Sequence, residues 1–412
     1  MHHQIRWIRL SIINLCTVAL LGLLLRSKIL FALPAINYTH LLESHSHFAF
    51  GGWITLALVV LMVSQLLPPG QGQKKIYQWI YLSLSISSWI MLLTYYLEAN
   101  STLSALVSGL FIMSTYLLAW VFIRDIRSSG LDRTISLLAI AALACLVLSS
   151  AGPLTLDYLF ATRSTNAIVY RDALFTYLHL QYNGFFTLSV FSLFFHRIQP
   201  MLPFAGRRAI RRFSVALVFS IIPSLFLSYL WHDPHGIFRI IAVAGSFLVL
   251  LSLALFILSS KRLLQAVGGF ESIVRFILYL SFGAFVLKSF LQGFTIFPAL
   301  GNAVFGNRPM IIGFLHLVFL GFTSLFILAY YAQEQVLDTK CRFSRIALIL
   351  FSLGVVFNEG VLLSQGLGAM FLQSSVFTPW FLWIISICMC AGALMIGYAV
   401  FSHKTNTNSP SA

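Results

Sequence analysis

The chain has 412 residues, 59% of them hydrophobic and only 9% charged, with a mean hydropathy of +0.90. So little charge cannot solvate the surface of a water-soluble domain of this length, so composition excludes one and indicates an integral membrane protein. The net charge of +15 does not point to nucleic acid, because the basic residues gather between the apolar runs mainly on one side.

Apolar runs near or above the ~20 residues that a helix needs to cross a bilayer recur from end to end. They predict twelve spans at about 8–30, 46–67, 76–97, 102–122, 135–154, 173–195, 213–231, 238–258, 273–294, 310–332, 346–367 and 378–401. The runs are far longer than the ~10-residue alternating strands of a membrane barrel. The expected fold class is all-α: a polytopic bundle of twelve transmembrane helices. One membrane domain, 1–403, is expected to carry everything, followed by a short polar disordered tail, 404–412. The longest stretches outside the spans fall at about 196–212 and 295–309. No internal repeat is visible. The first span follows Arg6 and Arg9 and runs into Arg26 without a small-residue cleavage site, so it reads as a retained signal anchor. The five cysteines are scattered and read as packing residues.

Of the 26 Lys and Arg, seven fall on one side of this bundle: Arg26, Lys28, Arg163, Arg171, Arg239, Lys288 and Arg308. All the others lie on the N-terminal side. The positive-inside rule then puts both termini in the cytoplasm of a bacterial inner membrane, with the basic excess against anionic lipid. The bilayer is the partner that this charge implies; nucleic acid is not.

The histidines carry the functional signal. His45 and His47 sit at the start of span 2 with His40 just upstream, His179 near the start of span 6, His232 and His235 at the end of span 7, and His316 inside span 10. With alternating span directions, all of them lie toward the outer leaflet. A lone interfacial histidine is tolerable without a role, but imidazole is expensive in hydrocarbon unless it binds something, and a set at one depth suggests a metal or haem site. His45 and His47 are two residues apart, so on a regular helix they point about 200° from each other and cannot share a partner. His316 is a lone imidazole in an apolar run. A haem bridged between His316 and one of His45 or His47 would satisfy both spans. Asp233 is a candidate to orient a neighbouring imidazole, and Glu359 and Lys288 are ionisable groups inside spans 11 and 9.

Four segments resemble the catalytic subunit of haem–copper oxidases, particularly the C-type enzymes that take electrons from cytochrome c. That family also has twelve spans, with ligands on spans 2, 6, 7 and 10. His45-Ser-His-Phe-Ala-Phe-Gly-Gly52 resembles the family's histidine followed by Phe-Ala-Phe-Gly-Gly, although the family's histidine would fall at Leu42. Tyr177-Leu-His179 with Asn183-Gly-Phe-Phe186 resembles Tyr-Gly-His followed by Gly-Phe-Phe. Tyr229-Leu-Trp-His-Asp-Pro-His235 is similar to Tyr-Ile-Trp-Ala-Gly-Pro-His-His. Phe314-Leu-His316 stands where the family has His-x-His.

The resemblance implies a low-spin haem b held by His45 or His47 with His316, and a copper site from His179, His235 and the extra His232. It also gives Tyr229 the place of the redox-active, catalytic tyrosine. The departures are equally specific. Phe314 replaces the axial ligand of the high-spin haem and Gly236 replaces the second histidine of the copper pair, so the oxygen-reducing site is incomplete. Haem- and copper-containing membrane proteins of the nitric oxide stress response are a second similar group. The expectation is a haem protein for electron transfer or diatomic-gas response, partnered by respiratory subunits or a c-type cytochrome; any enzyme activity would be that of a cytochrome c oxidase-like oxidoreductase. The alternatives are a metal or small-solute transporter built on His179, His232 and His235, or a non-catalytic assembly partner of an oxidase.

Overall fold

Apolar runs of this length satisfy their backbone groups in hydrocarbon only by hydrogen bonds inside the segment. The computed structural model describes residues 4–98, 101–232, 236–305, 307–370 and 375–402, and among these it contains helices and no strand. Twelve long helices follow one another: α1 (Ile5–Leu30), α2 (Tyr38–Leu66), α3 (Lys75–Leu97), α4 (Thr102–Arg127), α5 (Arg133–Ala161), α6 (167–198), α7 (Phe204–His232), α8 (Ile237–Gly269), α9 (Ser272–Phe294), α10 (Arg308–Gln333), α11 (Arg342–Gly368) and α12 (Phe377–Ser402). By length and composition, eleven are apolar enough to cross a membrane. The twelfth, α6, carries Arg171, Asp172, His179, Gln181 and Asn183 in its first half.

Several helices start earlier than their apolar runs do. The helix of α2 begins at Tyr38, where the Asn37 side chain caps it by accepting from the backbone N–H of Thr39 (3.0 Å) and His40 (3.2 Å). His45 and His47 therefore lie about two turns inside the helix rather than at its first residue. Helix α7 begins at Phe204, so Arg207, Arg208, Arg211 and Arg212 ride on its first turns instead of a loop. Within the segment 295–309 a short helix, Pro298–Phe305, precedes α10. The polar tail lies outside the described residues.

Small residues let the helices close on one another, as packing in lipid requires. A Cβ added at Gly245 of α8 would land on the backbone of Pro223 in α7, and one at Gly392 of α12 would meet the backbone of Phe351 in α11 at 2.8 Å.

Three helices change pitch at corresponding places. Phe48–Thr55 in α2, Leu180–Phe186 in α6 and Leu317–Ser324 in α10 are π-helical. Each begins immediately after a histidine: His47, His179 and His316. Glycines 51, 52, 184 and 321 lie within them. Two threonine hydroxyls close the wider turn, Thr187 Oγ1 donating to the Tyr182 carbonyl (2.6 Å) and Thr323 Oγ1 to that of Val318 (2.9 Å). Carbonyls in these stretches are taken by neighbouring helices: Asn14 Nδ2 donates to Gly52 (2.6 Å) and Ser281 Oγ to Phe322 (2.7 Å). Trp53 Nε1 donates to Ser324 Oγ (2.8 Å), and the Ser11 hydroxyl pairs with that of Tyr331 (2.9 Å). At on the order of 1 kcal/mol each in a membrane, these bonds lock α1, α2 and α10 into one register.

Candidate functional site

The lock sets the facing of the two α2 histidines. His47 stacks flat on Tyr95 of α3, with ring centroids 4.1 Å apart and planes at 4°. His45, on the other face, turns to α1: its ring carbon Cε1 lies 3.4 Å from where a Cβ on Gly22 would sit, an ordinary contact distance, so the ring packs against α1 at this glycine. Its Nδ1 is buried without a hydrogen-bond partner, and the ring lies near the Val18 backbone of α1.

His316 of α10 is within Coulombic reach of His45. Its Nδ1 sits 2.8 Å from the carbonyl of Ile312, the residue one turn earlier. An imidazole so placed donates from Nδ1 and keeps the Nε2 lone pair for a ligand. No protein group among the described residues hydrogen-bonds the Nε2 of His45 or His316. Both rings lie deep in the bundle, yet each keeps accessible surface. Arg26, one turn beyond Gly22, is within Coulombic reach of both imidazoles and of Glu359. By the chemistry of its donors the set fits a bis-histidine haem: two imidazoles from separate helices, one of them in a fixed tautomer, with an arginine within Coulombic reach of both.

The other histidines are engaged differently. Lys288 of α9 is buried and donates to Asn183 Oδ1 (2.6 Å); Asn183 Nδ2 donates to His179 Nδ1 (3.2 Å), and His179 Nε2 donates to the Ile221 carbonyl (2.9 Å). The chain runs Lys–Asn–His–carbonyl, and it occupies both imidazole nitrogens. His232 pairs with Asp172 Oδ2 (3.1 Å), whose other oxygen accepts from Trp231 Nε1 (2.9 Å). The Tyr229 hydroxyl bonds that of Thr176 (2.6 Å). Asp233 and His235 lie outside the described residues. Among the described residues no group of three His, Cys, Asp or Glu is placed to hold a metal. Of the three candidate copper ligands, His179 and His232 are held by protein groups and His235 is not among the described residues.

A cavity of about 480 Å³ opens between α6, α7, α9, α10 and α11. Phe314, standing where the oxidase-like pattern has a haem ligand, lines it and packs edge-on against Tyr182 at 5.7 Å. Among the described residues no histidine lines the cavity, so none of them offers an imidazole to a second haem there.

Sequence reasoning missed the partners of two polar groups, Asn183 for Lys288 and Asp172 for His232. It also missed the three π segments, whose trace in the sequence is a glycine with a threonine two or three residues further on: Gly52 and Thr55, Gly184 and Thr187, Gly321 and Thr323.

No protein-family model matches the chain, and no curated protein matches it. Among solved structures it is similar to a haem–copper terminal oxidase dimer determined by cryo-EM. The likeness covers 99% of this chain and 84% of that one, with a TM-score of 0.74 at 10% identity. The fold is thus a membrane helical bundle of the haem–copper oxidase kind. At that identity the likeness carries architecture, and the chemistry has to be argued from the side chains.

Proposed function

We propose that this chain is a membrane haem protein in which His45 and His316 hold one low-spin b-type haem that passes electrons. The observation that supports it most is the pair of part-buried imidazoles on α2 and α10, His316 held through Nδ1 by the Ile312 carbonyl and His45 with an Nδ1 that has no hydrogen-bond partner. Such a haem supplies a one-electron couple, tuned by its axial ligands and its burial. The protein's part is to orient. The Ile312 carbonyl holds His316 in one tautomer, His45 packs against α1 at Gly22, and Arg26, which makes no ion pair among the described residues, is the cation available to the haem carboxylates. A haem held by both His45 and His316 would take both of its protein ligands from this pair, and the chemistry it would supply is electron transfer rather than gas binding.

The charge asymmetry supports an orientation with both termini cytoplasmic in a bacterial inner membrane, which brings the pair toward the outer leaflet. A c-type cytochrome or another respiratory subunit on that side is the fitting partner. Neither a copper centre nor an oxygen-reducing site belongs to this reading, since His179 is saturated by protein bonds and Phe314 cannot ligate iron. A visible spectrum of the purified chain tests it. Reduction should bring up a sharp α-band that disappears in His45→Ala and in His316→Ala and persists in His47→Ala. Colourless protein, or a band indifferent to both alanine variants, contradicts it.

A further inference from the structure

The 480 Å³ cavity is within the size range of ligand pockets, and it is not used by the proposed haem pair. Its walls are mostly aliphatic, with Phe175 and Phe314 supplying flat aromatic surface. Its polar groups are Tyr182, Ser228, Tyr279, Gln292, Thr295 and Glu359. Among the described residues no Lys, Arg or His lines it. One oxygen of Glu359 accepts from Asn358 Nδ2 (3.0 Å), and the other has no protein partner among the described residues.

The cavity is open on the side between α9 and α11. Tyr279 and Leu287 of α9 and Val356 and Leu363 of α11 line it and are also exposed. Gly283 and Gly360, one on each helix, line it too, and a Cβ added at either would meet nothing within 4 Å. A surface at this depth of a membrane bundle faces lipid, so the entrance is lateral.

We infer that this cavity binds a neutral, ring-bearing lipophile of the isoprenoid quinone class, which enters from the bilayer between α9 and α11. The lining selects that chemistry. An anionic headgroup, such as a fatty acid or a phospholipid phosphate, would sit beside Glu359 with no cation in the described lining; Arg26, within Coulombic reach of Glu359, is not part of that wall. A plain acyl chain would leave the Glu359 oxygen and Gln292 without partners. A quinol hydroxyl satisfies the carboxyl and a quinone carbonyl satisfies the Gln292 amide, while the ring lies against Phe175 and Phe314. The inference does not depend on haem being bound at His45 and His316.

The test uses the full chain in quinone-free nanodiscs, titrated with decylubiquinone and compared with empty nanodiscs. The expected result is one saturable site per chain above the lipid background. Gly283→Trp, which has space at its own position, should close the entrance and abolish the site. Glu359→Leu should weaken it by about tenfold, the loss of a buried hydrogen bond. Uptake equal to that of empty nanodiscs overturns the inference, as does a site indifferent to both variants. Competition by palmitate as strong as by a second quinone overturns the neutral-headgroup argument. Two haems per chain by pyridine haemochromogen assay would show that porphyrin fills the cavity instead.

Discussion

Helices α6 and α10 build two very different interiors along their length. Beyond their π segments they fill space with aromatic rings. Phe191 meets Phe213 and Phe285 at 4.8 Å, edge to face, and Phe195, Phe256 and Phe282 at 5.5–5.7 Å. Phe191, Phe195 and Phe285 are wholly buried. Before the π segments the same two helices carry His179 and His316, set among polar partners and a cavity. The difference teaches where specificity is placed. The aromatic half can be close-packed because its surfaces are matched and need no partner. The histidine half leaves space and holds its polar groups by named bonds. The π segments are the seam, and π turns of this kind are common beside functional sites.

That contrast predicts opposite consequences for substitutions on either side of the seam. In the histidine half, His316→Ala and His45→Ala should each reduce haem per chain to background while the helical content and thermal midpoint of the haem-free protein stay close to normal. In the aromatic half, Phe191→Ala should leave haem per folded chain intact and cost on the order of 3–5 kcal/mol, read as a lowered thermal midpoint or urea resistance. If Phe191→Ala bleached the protein at unchanged stability, the division between the halves would be wrong.

The Lys288–Asn183–His179 chain offers a smaller effect with a sharper signature. Asn183→Leu strands a buried ammonium and an imidazole nitrogen and should cost about 2 kcal/mol. Adding Lys288→Met should return most of that, because replacing both partners by apolar groups of similar shape is close to neutral. No recovery in the double variant would mean that Lys288 is held by something other than Asn183. The smallest change is expected at His47. His47→Phe keeps the flat contact with Tyr95 and should shift neither the haem spectrum nor stability by more than about 0.5 kcal/mol.

Much of the architecture was readable before any coordinates. A run of ~20 apolar residues has few alternatives in a membrane, so all twelve spans correspond to long helices. The edges were not readable where polar residues extend a helix past its apolar run, as at Tyr38–His47 and at Arg207–Arg212. The ~200° between His45 and His47 already separated their faces. Which face turns inward is decided by contacts from α1 and α3, at Gly22 and Tyr95, far away in the chain. The π turns were hidden because an i→i+5 ladder uses the same apolar residues as an i→i+4 one. Lys288 is 105 residues from Asn183, and no local spacing rule joins them. The cavity is likewise invisible in sequence, because the space belongs to five helices and to none of them alone.

Electron paramagnetic resonance of the oxidised, purified chain addresses the axial pair on α2 and α10 most directly. The predicted result is a ferric low-spin bis-imidazole signal at one spin per chain, lost in either His45→Ala or His316→Ala and unchanged in His47→Ala. A high-spin signal in the unaltered protein, or a low-spin signal that survives both substitutions, would contradict the account.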